Sequence, residues 1–347
     1  MHYKFRVSAG NSVTSKASAT RIFQVAIAVF GTLAVLLFSA SSSHSTDNTA
    51  NVQEPISGEW TAEFDAKKAD EVRMMFYRRT KRGGNNMSNT DIPLVELQGL
   101  TRAQALSTGA PVNFRIVREA GTFAHDGYFR EGKGAGQWTL SLNDSFIAAL
   151  SSRGYERPRE EQLLAAAMHD LTTKFIEDLK SAGYDRPPFD ELVAARIFNV
   201  TPEFIKEISS LGYERLPLQE LVSARIFRVN AEFAREVQEM GFGRQPLDQL
   251  VAMRIHKITP EFIREMRALG YDNLSLDKLM ALRIHGVTKE FLAEIKAEGF
   301  SPISADDAVQ LRIFKVDGDY IRRMKARGFN NLTLEQLVQL RIHNIAK

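Results

Sequence analysis

Val200 to Arg228 reads VTPEFIKEISSLGYERLPLQELVSARIFR, and this stretch decides the fold. Thr201 suits a helix N-cap, Pro202 suits the first helical position, and Glu203 places negative charge where the helix dipole favours it. Phe204, Ile205, Ile208 and Leu211 follow at helical spacing. Gly212 then supplies the left-handed residue that ends the helix, with Tyr213 folding back on the last turn. A second helix begins near Pro217, a position held by Ser275, Ser304 and Thr333 further along. The stretch predicts helix, glycine turn, helix.

Working outward, the same 29-residue pattern is written seven times between Leu142 and Asn344. Gly154, Gly183, Gly212, Gly241, Gly270, Gly299 and Gly328 keep the spacing without insertion or deletion. A fixed period in this range predicts an all-α solenoid of seven helix-turn-helix repeats (142–170, 171–199, 200–228, 229–257, 258–286, 287–315, 316–344), each burying its apolar face on its neighbours. At ordinary helix-packing distances such an array extends about 60–70 Å. Arg159 and Glu160 make the first repeat polar where later ones are apolar, as expected of a cap. Ile345 opens an eighth unit that stops at Lys347, so the last apolar end is either self-covered or covered by a partner.

Arginine keeps a second register at Arg196, Arg225, Arg254, Arg283, Arg312 and Arg341, and the first repeat carries Ala167 instead. At about 100° per residue with Leu218 at 0°, Leu221 falls at about 300°, Val222 at about 40°, Ile226 at about 80° and Arg225 at about 340°. The arginine thus lies inside the apolar arc, where its guanidinium has to be paired or led out to water. An acid follows seven residues later: Glu203, Glu232, Glu261, Glu290 and Asp319 after the first five arginines. The unit after the first repeat has Lys174 in that slot, so arginine and acid are lost together. This pattern predicts a clasp between consecutive repeats, with a ligand-reading arginine ladder as its rival.

His169, His256, His285 and His343 occupy a slot that elsewhere holds Phe198, Phe227 and Phe314. Interchange with phenylalanine predicts a packed ring position in preference to a metal row. Acid pairs such as Asp190/Glu191 fall in first turns of helices, and the N-x-S/T triplets at Asn199, Asn273 and Asn331 coincide with capping positions.

Upstream, residues 56–141 change character. GEWTAEFD alternates apolar and polar residues, EVRMMFY and PVNFRIV are β-rich, and GTFAHDGYFREGKGAGQWTLSL reads as short strands joined by glycine turns. A small antiparallel β-domain of about five to seven strands, sandwich or barrel, is expected, with Trp60, Phe64, Phe76, Phe114, Phe123, Phe129 and Trp138 as its core. Gly132, Gly134 and Gly136 lack the helix and the Lys-Ser/Thr ending of a phosphate loop and read as a hairpin. Arg78, Arg79, Lys81 and Arg82 form a basic knot, either a solvated loop or a contact for anionic headgroups or an acidic wall polymer.

The first 41 residues read as a targeting segment. Lys4, Arg6, Lys16 and Arg21 precede Ile22 to Phe38 (IFQVAIAVFGTLAVLLF), an apolar run without charge, and small residues such as Ser39/Ser41 or Ala40/Ser42 follow. This is either a cleaved secretory signal or a retained membrane anchor, joined to the body by a polar linker over 42–55. The formal charge is +3 for the whole chain and +4 for residues 1–21, which leaves −1 for the rest and no electrostatic footprint for nucleic acid. The absence of cysteine excludes disulfides and thiol chemistry, and no HExxH, GxSxG, Walker or EF-hand pattern is present.

Lys257 to Ile295, KITPEFIREMRALGYDNLSLDKLMALRIHGVTKEFLAEI, resembles helical repeats of bacterial envelope proteins. Similar repeats follow the peptidase domain in some membrane metallopeptidases of the β-lactam-sensing antirepressor type. The resemblance covers residues 142–347, carries no catalytic residues, and lacks the zinc peptidase domain; it implies an extracytoplasmic docking or sensing array. Together these readings predict a non-enzymatic scaffold without cofactor or metal, whose partner is an envelope protein, peptide or wall polymer. A membrane-anchored regulatory sensor is the alternative, and an envelope hydrolase using His125 and Asp126 of the β-domain is the third reading.

Overall fold

The computed structural model describes residues 55–64, 71–79 and 85–343. Residues 1–41, where a targeting segment is expected, most of the linker, Lys81, Arg82 and Ile345 lie outside the described residues. No helix among those described is long and apolar enough to cross a membrane.

Seven antiparallel strands form one curled sheet in the order β3-β2-β1-β7-β6-β5-β4. They are β1 (Ile56–Phe64), β2 (Glu71–Arg79), β3 (Asn85–Pro93), β4 (Leu97–Gln98), β5 (Ala110–Arg118), β6 (Gly121–Arg130) and β7 (Lys133–Leu142), with the short helix α1 (Arg102–Ala105) before β5. Alternation sends Trp60, Phe76, Phe114, Phe123, Phe129 and Trp138 to the inner face, where all are at most 5% exposed. Trp60 meets Phe114 and Phe129 at 5.3 and 5.7 Å between ring centres, and Trp138 meets Phe123 at 5.6 Å. The glycines make this curl possible by steric absence: a Cβ on Gly134 would lie 2.7 Å from the Phe129 ring and 2.8 Å from Trp60. Glu131 and Gly132, both at positive φ, form the two-residue loop between Arg130 and Lys133, as the hairpin reading of GKGAG requires.

Fourteen α-helices follow β7. In order they are α2 (Asp144–Ser152), α3 (Glu160–Met168), α4 (Thr173–Ser181), α5 (Phe189–Ile197), α6 (Pro202–Ser209), α7 (Leu218–Ile226), α8 (Ala231–Val237), α9 (Leu247–Ile255), α10 (Pro260–Ala268), α11 (Leu276–Ile284), α12 (Lys289–Ala297), α13 (Ala305–Ile313), α14 (Gly318–Ala326) and α15 (Leu334–Ile342). The chain divides into two compact units, the first running to Lys206 and taking in Pro217–Val222, the second comprising Glu207–Leu216 and Ser223 onward.

Four of the first helices and six of the second end in the same way, while α8 runs on into a π-helical turn over Gln238–Phe242. The amides of Tyr155, Tyr184, Tyr271 and Phe329 return to the carbonyls of Leu150, Leu179, Met266 and Met324 at 3.0–3.1 Å, past a glycine at positive φ. At the second helices, Leu171, Val200, Val229, Ile258, Val287 and Val316 make the equivalent bond at 2.8–2.9 Å. Here the left-handed residue is Asp170, Asn199, Arg228, Lys257, Gly286 or Lys315, so five of six caps are built without glycine.

Helix starts are equally regular. The side chains of Thr172, Thr201, Asn230, Thr259, Thr288 and Asp317 accept from the amides of Phe175, Phe204, Phe233, Phe262, Phe291 and Tyr320. The cap thus holds the backbone of the residue that carries the helix's aromatic ring. Ser275, Ser304 and Thr333 cap α11, α13 and α15 as expected.

Candidate binding surface

The ring that each N-cap holds is the platform for an arginine. The guanidinium carbon of Arg254 lies 3.7 Å from the centre of the Phe233 ring, Arg283 lies 4.9 Å from Phe262, Arg312 5.0 Å from Phe291 and Arg341 5.0 Å from Tyr320. In the first unit Arg196 stands 5.8 Å from Phe175. Each arginine is the next-to-last residue of its helix and leans back, as helical side chains do, over the helix that precedes it in sequence. The rings are buried beneath, 1–6% exposed from Phe233 to Tyr320, while Arg254, Arg283 and Arg312 are exposed. Immediately beside them Ile284, Ile313 and Ile342 are 44%, 46% and 41% exposed.

The expected clasp takes a different form. Arg196, Arg254, Arg283 and Arg312 do not pair with Glu203, Glu261, Glu290 and Asp319. Arg196 instead reaches back to Asp170, donating Nε–H to its carbonyl at 2.9 Å and meeting its carboxylate at 3.3 Å; Arg312 donates Nε–H to the His285 carbonyl at 3.2 Å. Arg267 and Lys325 repeat the move on the first helices, donating to the carbonyls of Met240 at 3.2 Å and Glu298 at 2.8 Å. Helix C-terminal carbonyls lack intrahelical partners and carry the negative end of the dipole, which makes them natural acceptors for a cation. The acids are occupied elsewhere. Glu203 is drawn below the ordinary carboxylate range by the Thr201 hydroxyl and its own amide, and Glu261 and Glu290 by their own amides and by Thr259 and Thr288. Glu261 pairs with Arg264 at 2.8 Å, Glu290 with Lys289 at 3.8 Å and Asp319 with Arg322. Arg225 and Glu232 hold the matching positions at the end of α7 and the start of α8.

A second recurring contact was not foreseen. Glu207 accepts the Ala231 amide at 2.9 Å and Glu294 accepts the Gly318 amide at 3.0 Å, each acid reaching from one first helix to the start of the next. The equivalent residue of α2 is Ala149, and the sheet supplies the missing acid. Glu119, in the β5–β6 turn, accepts the Thr173 amide at 3.0 Å and its hydroxyl at 2.5 Å. Ala167 is fully buried and lines, with Met168, a cavity of about 20 Å³ walled by Phe76, Ile116 and Phe123 and, on its polar side, by Ser88, Thr90 and Arg118. The sheet packs against the end of α3 at this point, with Arg118 lining the same cavity.

Of the basic knot, Arg78 alone has a described side chain. Arg78 is engaged with Glu160 at 2.6 Å across the sheet-to-helix contact. Arg79 ends β2, its side chain outside the described residues along with Lys81 and Arg82.

His125 and Asp126 do not converge, because adjacent strand residues face opposite sides. His125 is fully buried, stacked on Phe114 at 4.5 Å with neither ring nitrogen hydrogen-bonded, whereas Asp126 faces out and accepts from Asn113 at 2.6 Å. Burial pushes the His125 pKa down to about 4, offset only in part by the backbone of Phe114 and Phe123. The outer face also carries a shallow groove of about 450 Å³ beside Glu59, Thr61, Tyr77 and Gln137.

His169, His256, His285 and His343 are the C-cap residues of their helices, and burial lowers the pKa of His169 and His256. Among the described residues no group of three or more His, Asp or Glu is placed to hold a metal ion. Comparison with protein-family models, curated proteins and solved structures finds no match to this chain.

Proposed function

We propose that this chain is a non-enzymatic, extracytoplasmic binding scaffold. The seven 29-residue units of residues 142–344 stack as an α-solenoid capped at one end by the sheet, and their surface engages an envelope protein, peptide or wall polymer. The observation that carries this reading is the recurrence of arginine on ring at Arg254, Arg283, Arg312 and Arg341, with an exposed isoleucine beside each of the last three. A fold needs the rings buried, but it does not need three large aliphatic side chains left in water beside a row of cations. The solvent-facing positions of a binding array look like this.

Cross-linking in the native envelope tests the proposal. One dominant cross-linked partner, lost from a chain carrying Arg283→Ala and Ile313→Ser, is the expected outcome. A profile unchanged by those substitutions, or no cross-linked product, would count against it. The membrane-anchored sensor is supported by the uncharged run Ile22 to Phe38. Amino-terminal sequencing of the mature protein separates the two, since an intact Met1 is what an anchor requires.

A further inference from the structure

The arginine row leaves donors unused. Arg254 and Arg283 make no hydrogen bond to another residue, and none of Arg254, Arg283, Arg312 and Arg341 has a carboxylate within 4.0 Å, among the described residues. A guanidinium has five N–H donors in a rigid planar fork, and a ring beneath it fixes that fork while leaving its edge in water. The usual entropic cost of ordering a long side chain at an interface is therefore already met in the free protein. Bidentate acceptance by a planar carboxylate is the interaction this geometry suits.

Spacing and charge narrow the ligand further. If successive helix pairs advance at ordinary packing distance, neighbouring guanidinium groups stand about 10 Å apart. A polyproline II segment rises about 3.1 Å per residue with three residues per turn, so it places every third side chain on one face about 9 Å apart. A β-strand puts alternate residues on one face and misses this register. Ile284 and Ile313 fall between the arginines in sequence and offer apolar contact to the intervening side chains. Glu261, Glu290 and Asp319 stand exposed close by in sequence, so sparse carboxylates suit the row better than a dense polyphosphate.

Resting on the scaffold reading above, we propose that Arg254, Arg283, Arg312 and Arg341 bind an acidic polyproline II segment of a partner protein, with a carboxylate at every third residue and apolar side chains against Ile284 and Ile313. The site is a charged, aliphatic-edged row that reads carboxylate spacing.

Fluorescence anisotropy with the full chain tests this, using a labelled synthetic peptide of about twelve residues that repeats Glu-Pro-Val. Saturable binding is expected, weakened by salt and reduced about tenfold or more in the Arg254→Gln/Arg283→Gln variant. A matched Gln-Pro-Val peptide is expected not to bind. Ile313→Glu sets a repelling carboxylate beside the row without touching any ring–arginine contact, and it is expected to weaken binding even if the arginine variant folds poorly. Equal binding of the glutamine peptide, or indifference to Ile313→Glu, overturns the proposal. So does arginine-dependent binding of inorganic polyphosphate in place of the peptide. Failure here, with a dominant partner still cross-linked to the parent chain and lost from the Arg283→Ala/Ile313→Ser chain, removes the acidic-segment inference and leaves the scaffold standing; peptide binding as expected with no cross-linked product does the reverse.

Discussion

Arg254 and Phe233 are joined by one cap and one stack: the Asn230 side chain accepts the Phe233 amide at 2.9 Å, and the Arg254 guanidinium carbon lies 3.7 Å from the ring centre. The arginine closes α9 onto the start of α8 and shields a ring that is 3% exposed. A cation on a ring at a partly exposed site contributes about 0.5–1 kcal/mol, and the aliphatic stem adds packing. Arg254→Ala and Phe233→Leu are each expected to cost about 1 kcal/mol in denaturant unfolding, and the double variant less than their sum by about 0.5–1 kcal/mol. Strict additivity would show that the stack is geometry without energy.

Among the contacts between sheet and helices, one turn residue acts as a surrogate. Glu119 holds the Thr173 amide and hydroxyl as Glu207 and Glu294 hold the amides of Ala231 and Gly318. Glu119→Ala strands an amide in the first turn of α4 and removes negative charge from a helix N-terminus. A loss of about 1–2 kcal/mol is expected. Hydrogen exchange locates it: faster exchange at Thr173 and Phe175 is expected, and protection unchanged from the parent chain would refute the surrogate role.

Much of this was legible from periodicity, and what was not has physical causes. Gly212 and its equivalents announce a left-handed cap, whereas Asp170, Asn199, Arg228, Lys257 and Lys315 adopt the same conformation while carrying side chains that seldom mark it. The wheel centred on Leu218 placed arginine in the apolar arc but could not show that it leaves that arc over a ring. It also passed over Ala195, Met253, Leu282 and Leu311, all fully buried, because the true arc is centred further round. The acids at Glu261 and Glu290 paired with the arginines in sequence only; in space, the nearby helix N-terminus captures them. Glu119 had no sequence signal, since its role depends on what stands in place of a missing repeat. A single curled sheet was obscured for the same kind of reason, as glycines that read as turns lie within strands beneath tryptophan rings.

His125 couples the sheet to pH. Its folded pKa is about 4 against an ordinary 6.5, so the unfolded chain binds the proton more readily between those values. Stability from this residue is complete above pH 6.5 and declines as pH falls toward 4, by about 3 kcal/mol at 1.36 kcal/mol per unit. His169, lowered by burial and by Arg196, acts in the same direction. The difference between parent and His125→Leu isolates the first contribution. The variant is expected to show a flatter stability–pH slope across that window whatever its absolute stability. An identical slope would mean that the imidazole is solvated or partnered in solution.

The gap in the arginine row makes the sharpest test of how the two kinds of structure meet. Ala167 is fully buried against Phe76, Ile116 and Phe123, and the cavity beside it holds about 20 Å³. If the gap were an accident of a degenerate first repeat, restoring the pattern with Ala167→Arg would be harmless or helpful. If it is the footprint of the sheet, the substitution forces a second guanidinium into a space of about 20 Å³ that Arg118 already lines beside Phe76, Ile116 and Phe123. Burying an unpaired cation costs several kcal/mol in practice, so a loss above about 3 kcal/mol is expected, three times that of removing Arg254. Tryptophan fluorescence should report it, because Trp138 packs on Phe123 at 5.6 Å, one residue from the cavity wall. An Ala167→Arg chain as stable as its parent would show that the sheet yields at this contact, and the footprint account would have to be abandoned.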